Sequence, residues 1–217
     1  MSRRDINLTI KEHTVSRETL IRARDLYGQN FEICETYLNE LLWWNKKVNL
    51  VSREVSRETL QEHIVHSLLP SAMGLLDGVD EWVDAGTGGG LPGIPLAIAE
   101  PQKDWYLNDV VIKKIAAVKQ MVYRLNLVNA SAGSGSIADI QLDSGSGLIT
   151  KHAFEVKKLL DMVAEKPWNK IIMYKGREEA EEEIQDIELP LRCSIHKFEF
   201  GEEETFYTGK GLLVIER

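Results

Sequence analysis

The chain has 217 residues, 43% apolar and 28% charged, a balance that excludes a disordered polymer and predicts one packed domain with an extension. No apolar run nears the roughly 18 residues of a membrane span, and the opening "MSRRDINLTIKEH" lacks the apolar core of a secretory signal, so a cytoplasmic protein is expected. Of the net charge of −8, most falls in residues 177–217, which hold 12 Asp/Glu against 5 Lys/Arg, leaving room for a basic patch elsewhere.

From about Val15 to Leu76 apolar residues recur at three- and four-residue intervals, through "RETLIRARDLYG" and "FEICETYLNELLWWNKKVNLV", which predicts helices. The hexapeptide "VSRETL" stands at 15–20 and again at 55–60. It marks two helix starts with Ser16 and Ser56 as N-caps, and is too short for a repeat architecture. Cys34, Trp43 and Trp44 continue the apolar stripe and are read as packing residues. Cys193 is far away and no CxxC accompanies either thiol, which predicts reduced cysteines and no metal. Pro70 and Gly74 interrupt the last helix.

From Glu81 strands alternate with helices. "EWVDA" reads as a strand, "PGIPLAIAEP" as a helix, "DWYLND" as a strand and "IKKIAAVKQMVYRLNL" as an amphipathic helix. A short strand about Val128–Ala132 leads into the polar "GSGSIADIQLDSGSG", followed by a strand at Leu148–Thr150. Helices "AFEVKKLLDMVAE" and "REEAEEEIQDI" flank the strand "KIIMY", and "CSIHKFEF" and "GLLVIE" close the chain as an antiparallel pair. The expected fold is α/β: a helical extension over residues 1–80 that faces the substrate, then a Rossmann-like, mostly parallel sheet over 81–217 with helices on both faces. A parallel sheet ending in an antiparallel hairpin is the layout of class I methyltransferases.

The segment "DAGTGGGLPGIPLAI" joins the first of these strands to its helix. Gly88-Gly89-Gly90-Leu91-Pro92-Gly93 fits the dinucleotide pattern, and Asp84-x-Gly86-x-Gly88-x-Gly90 fits the acidic-x-G-x-G-x-G of S-adenosylmethionine sites. Both uses expect an acidic residue some 20 positions on for ribose hydroxyls, and Asp109 supplies it. Asp84 favours S-adenosylmethionine, because a carboxylate there would repel a pyrophosphate and attract an ammonium group. An NAD-dependent oxidoreductase is disfavoured further by the lack of a Tyr-x-x-x-Lys or similar hydride-transfer group.

The segments "LLWWNKKVNLVS", "HIVHSL", "VDAGTGGGLPGIPLAIAEP", "LNDVVIKK" and "YKGREEAEEEI" occur in the order found in the bacterial RsmG (GidB) family, and the chain resembles that family from about Leu41 to Arg217. The resemblance implies an enzyme that methylates N7 of a guanine in small-subunit (16S) ribosomal RNA with S-adenosylmethionine, its partner being that RNA or the 30S subunit. It implies that Asp84, Gly86, Thr87, Gly88 and Gly90 hold the methionine part of the cofactor, that Asp109 takes the ribose, and that Ile137 and Ala138 lie against the adenine. His66 stands where the family has Asp, Lys151-His152 where it has Ser-Arg, and Pro167-Trp168-Asn169 where it has Pro-Gly-Gly. His152, expected as a neutral hydrogen-bonding or stacking group, and Lys175, at a strand end where ligands gather, are the candidate catalytic residues. Lys46, Lys47, Arg53, Arg57 and Lys151 are the candidate RNA contacts. The expected protein is a monomer without metal or membrane partner. Methylation of another RNA or a small molecule, and non-catalytic ribosome binding, remain open alternatives on the residues alone.

Overall fold

The computed structural model describes residues 9–185, 187 and 191–217. The first described element is a strand, β1 (Thr9–Ser16), and not part of the helical segment. Helices α1 (Arg17–Gln29), α2 (Phe31–Asn45), α3 (Arg57–Ser67) and the short α4 (Leu69–Ala72) follow. Ser56 caps α3 as expected, its hydroxyl accepting the Thr59 N–H at 3.1 Å. Ser16 precedes α1 without a side-chain cap bond, being itself the last paired residue of β1.

The alternating region gives β2 (Glu81–Ala85), α5 (Gly93–Ala99), β3 (Asp104–Asp109), α6 (Ile112–Arg124), β4 (Ala130–Ser134), β5 (Gly147–Lys151), α7 (Val156–Met162), β6 (Lys170–Tyr174), α8 (Arg177–Ile184), β7 (Arg192–Glu199) and β8 (Gly211–Glu216). Strand β4 starts two residues later than its sequence suggests. The Asn129 amide donates to the carbonyls of Ala97, Glu100 and Lys103, which fixes a turn where a strand was expected and leaves Val128 exposed.

The eight strands form one sheet in the order β1-β7-β8-β6-β5-β2-β3-β4. Strands β2 to β6 are mutually parallel, β8 runs antiparallel to β6 and β7, and β1 adds in parallel to β7. One face, carrying Trp82, Trp105, Leu107, Ile149 and Ile172, shares a core with Leu20, Leu38, Leu60, Ile94 and Val118 of helices α1, α2, α3, α5 and α6. The helices before β2 thus join their apolar stripe to the core on this face, with α2 packed on α5 and α6 and α3 on α5, each fully buried leucine contributing about 1.5–3 kcal/mol. The other face, with Leu148, Ile171 and Met173, is covered by Leu159, Leu160, Ala180 and Ile184 of α7 and α8. The chain moves outward from β2 to β3 and β4, then returns to place β5 on the other side of β2. The carboxyl ends of β2 and β5 are therefore the topological switch point, where sheets of this kind open a crevice for ligands.

Candidate active site

Strand β2 delivers Asp84 to that crevice, fully buried. Its Oδ2 accepts the Thr87 hydroxyl at 2.6 Å and the Gly93 N–H at 2.9 Å, while Oδ1 is buried with no partner among the described residues. Burial pushes the Asp84 carboxyl up to about 7, against the pull of those two hydrogen bonds. A methyl at Gly93 would stand 2.2 Å from Leu107 Cδ2 and 2.7 Å from Asp84 Oδ2, so α5 can start against the carboxylate only with glycine there. Gly93→Ala is expected to destabilise the fold by about 1–3 kcal/mol through overpacking, measurable as a lower urea midpoint at unchanged slope.

The rest of the loop is held from both sides. Gly86, Gly88 and Gly90 adopt φ of 74°, 57° and 98°, a region open to glycine, and a methyl on Gly86 would meet Ala153 Cβ at 2.4 Å just beyond β5. The Gly88 N–H donates to Asp109 Oδ2 at 3.0 Å, and Asp109 Oδ1 accepts from the Val111 N–H at 2.8 Å. Each Asp109 oxygen keeps a second lone pair for a hydroxyl donor. The Thr87 hydroxyl donates to Asp84 and the residue is buried, so its side chain braces the loop. Tyr37, which the sequence did not single out, is buried and donates its hydroxyl to the Gly89 carbonyl at 3.0 Å. Ile137 and Ala138 fall in a 3-10 turn just after β4, with Ile137 turned into the core and Ala138 exposed. A cavity of about 620 Å³ runs along the β2–β4 side of the sheet past Val83, Tyr106 and Ser131 to Ser134 and Ser136, and none of the glycine-loop residues lines it.

Across the switch point, Lys151 ends β5. Its Nζ lies 3.1 Å from the His63 carbonyl, 3.3 Å from His63 Nδ1 and 3.4 Å from Ser67 Oγ, all on the last turns of α3. The amine is therefore turned inward and is not the RNA contact expected of it. Burial, then Lys210, lowers the Lys151 pKa to about 7, with Asp84 pulling the other way. Burial likewise lowers His63 to about 3, with Lys151 and Lys210 adding to it. His66 is fully enclosed, its ring edge-on to Tyr174 at 4.9 Å and to Tyr207 at 5.8 Å, with neither nitrogen hydrogen-bonded. Burial holds it neutral, and leaving its ring N–H unpaired costs roughly 1–3 kcal/mol. His152 stands at the exposed rim with φ of 57°, and desolvation of its ring followed by the Lys151 charge lowers its pKa, in keeping with a neutral imidazole.

Two more sequence candidates are engaged elsewhere. Lys175 is 5% exposed, with Nζ 2.6 Å from Glu179 and 2.7 Å from Glu183 of α8; burial is outweighed by these partners and the amine stays charged. It pins α8 to the end of β6 and is not free for catalysis. Arg57 is spent on Glu35 and on Asn39 Oδ1, bracing α3 against α2 rather than offering itself to a phosphate. Lys46, Lys47 and Arg53, by contrast, converge on one cavity of about 440 Å³.

A cofactor loop at the switch point of this sheet is shared by many enzymes, and the family is settled by the chain as a whole. The model of GidB, rRNA small subunit methyltransferase G, matches residues 30–203. The chain belongs to the GidB family. A relative from Chlorobium limicola, named ribosomal RNA small subunit methyltransferase G, is 33% identical over 196 residues, covering 87% of this chain and 88% of that one. Among solved structures, a cofactor-bound protein from MTB superposes with a TM-score of 0.58 at 16% identity, covering 83% and 88% of the two chains. The 23S rRNA methyltransferase ErmE does so with a TM-score of 0.51 at 11% identity, covering 75% and 68%. As a GidB protein the chain is a methyltransferase whose cofactor is S-adenosylmethionine, on a class I sheet. Asp84 Oδ1, buried without a partner at the loop that a cationic amino-acid group would approach, fits that cofactor.

Proposed function

We propose that this enzyme methylates N7 of a guanine in small-subunit ribosomal RNA, in the cytoplasm, on the RNA or the 30S subunit. The observation that carries the cofactor half of this reading is the unpartnered Asp84 oxygen. Asp84 would receive the ammonium of the cofactor, the backbone of Gly86, Gly88 and Gly90 would lie along its methionine part, Asp109 would accept from the ribose hydroxyls, and the turn at Ile137 and Ala138 would border the adenine. S-adenosylmethionine supplies an electrophilic methyl group on a sulfonium.

The remaining chemistry falls to the side chains at the ends of β5 and α3. N7 of guanine carries an in-plane lone pair, so the acceptor needs no proton removed and the site needs no general base. The base gains positive charge as it is methylated. His63, His66 and His152 are held below the usual imidazole range and burial brings Lys151 down to about 7, so above that pH these groups carry little positive charge to oppose that product. The chain would then work by aligning the acceptor and excluding water, with His152 as a neutral contact at the rim.

The test is transfer of labelled methyl from S-adenosylmethionine to small ribosomal subunits that lack their own 7-methylguanosine. Label should appear in 7-methylguanosine with the wild type and disappear with Gly88→Arg, whose position requires φ of 57°. Wild-type protein that binds the cofactor by calorimetry yet labels no ribosomal RNA would sink the substrate half of the reading.

A further inference from the structure

Helix α2 ends at Asn45, and the chain then makes a tight loop whose shape Asn45 dictates. Its Oδ1 accepts the N–H groups of Leu50 at 2.9 Å and Val51 at 3.0 Å, and its Nδ2 donates to the Ser52 carbonyl at 3.3 Å. The loop faces two ways. On the inner side, Leu50 meets the glycine loop: a methyl on Gly89 would stand 3.2 Å from Leu50 Cβ, and one on Gly88 would stand 3.6 Å from the Leu50 carbonyl oxygen. On the outer side, Lys46, Lys47, Arg53 and Asn49 line the cavity of about 440 Å³, and no carboxylate lines it. Lys47 is held over the Trp43 ring at 3.3 Å, which takes up a face of that half-exposed indole.

A helix carboxyl end carries only about half a negative charge, which one lysine more than balances. Lys46 and Lys47 already exceed that, and Arg53 arrives from the far side of the loop with no ion pair among the described residues. Three cations gathered around one cavity without an anion repel each other, and the arrangement is relieved when an anion enters.

We propose that this cavity takes one backbone phosphate of the substrate RNA next to the target nucleotide, and that Asn45 is a positioning residue that transmits its occupation through Leu50 to the cofactor loop. The inference rests on the RNA reading above. A phosphodiester is the occupant favoured by the charge: three donors of one sign, amides beside them, and a cofactor loop on the other side of the same turn. RNA binding and cofactor binding then reinforce one another, as linkage requires.

The experiment follows a labelled single-stranded oligoribonucleotide by fluorescence anisotropy with the full chain over a range of salt. The triple variant Lys46→Ala/Lys47→Ala/Arg53→Ala should lower the log–log salt slope by about 0.7, the counterion release of one phosphate contact on a single strand, and each single variant by part of that. Lys158→Ala, an exposed lysine on α7, should leave it unchanged. Saturating oligonucleotide should tighten the calorimetric cofactor Kd about fivefold or more in the wild type, and not in Asn45→Ala. A wild-type slope retained by the triple variant overturns the pocket while leaving methyl transfer to ribosomal RNA intact, so the two readings fail separately. Unchanged coupling in Asn45→Ala overturns the link. If inorganic phosphate at matched ionic strength tightens the cofactor as much as the oligonucleotide does, the cavity is a free-anion site and the RNA assignment is wrong.

Discussion

Asp84→Asn should weaken cofactor binding about a hundredfold, roughly 3 kcal/mol, while leaving the melting temperature of the free protein nearly unchanged. The separation follows from where the hydrogen bonds lie. Oδ2 alone receives both loop donors, Thr87 and Gly93, so an amide oxygen in its place can keep the loop closed. The amide nitrogen then occupies the position of the unpartnered Oδ1 and offers N–H donors where the cofactor ammonium would lie. A buried charge-assisted contact is replaced by a repulsive one, and the loss of one such partner costs about 2–5 kcal/mol. The wild-type affinity should also depend on pH. A carboxyl near 7 must ionise to receive a cation, so affinity should fall as pH drops below 7, by up to about tenfold per unit. A charged Lys151 lowers the Asp84 pKa and so opposes its protonation, whereas Asp109 raises it. Binding should release a proton in calorimetry with buffers of different ionisation enthalpy, and the Asn variant should release less. A wild-type affinity that is flat from pH 6 to 8 would show that Asp84 keeps an ordinary pKa, and unchanged affinity in Asp84→Asn would remove it from the cofactor site.

The parts of the fold that were legible in the sequence are those whose signals are local. Strands Glu81–Ala85, Asp104–Asp109, Lys170–Tyr174 and Gly211–Glu216 begin and end as their quoted segments do, because buried strands bounded by turn residues need no distant partner to be recognised. β1 escaped because "TIKEHTVS" is a polar edge strand, and only its register with Arg192–Glu199, most of the chain away, makes it a strand. β4 was misplaced because "ASAGS" has little strand propensity of its own. At the site, the glycines could be read from type alone, since positive φ and close approach admit few other residues. Lys175 carried a local signal that went unused: Glu179 and Glu183 stand four and eight residues on, along one face of α8. Arg57 with Glu35, and Lys151 with His63 and Ser67, are contacts between separate elements, and no spacing in the sequence announces them. Tyr37 and Asn45 were hidden for the same reason, because each acts on a loop that its own helix reaches only in the folded chain.

Lys151→Met should make the free protein more stable than the wild type at pH 6 relative to pH 10, with the difference changing by up to about 1.4 kcal/mol per pH unit between about 7 and 10.5. The lysine has its ordinary value of 10.5 in the unfolded chain and about 7 in the folded one. Between those limits the unfolded state holds one more proton, so wild-type stability rises with pH through that window and loses the benefit as pH falls toward 7. Below 7 the amine is charged in both states, and the folded protein carries a buried ammonium with acceptors but no carboxylate against it. Methionine has similar length and no charge, so its curve lacks this slope; the hydrogen bonds it forfeits to His63 and Ser67 add a constant offset that does not vary with pH. His63, His66, His152 and Asp84 all feel the Lys151 charge and shift when it is removed, but they titrate at or below about 7, so the slope above that pH reports the lysine; Lys210 faces this position in both proteins. The measurement is urea unfolding of both proteins at several pH values from 6 to 10. Parallel curves would show that Lys151 keeps an ordinary pKa, and the account of a site held free of positive charge for a cationic product would lose its central residue.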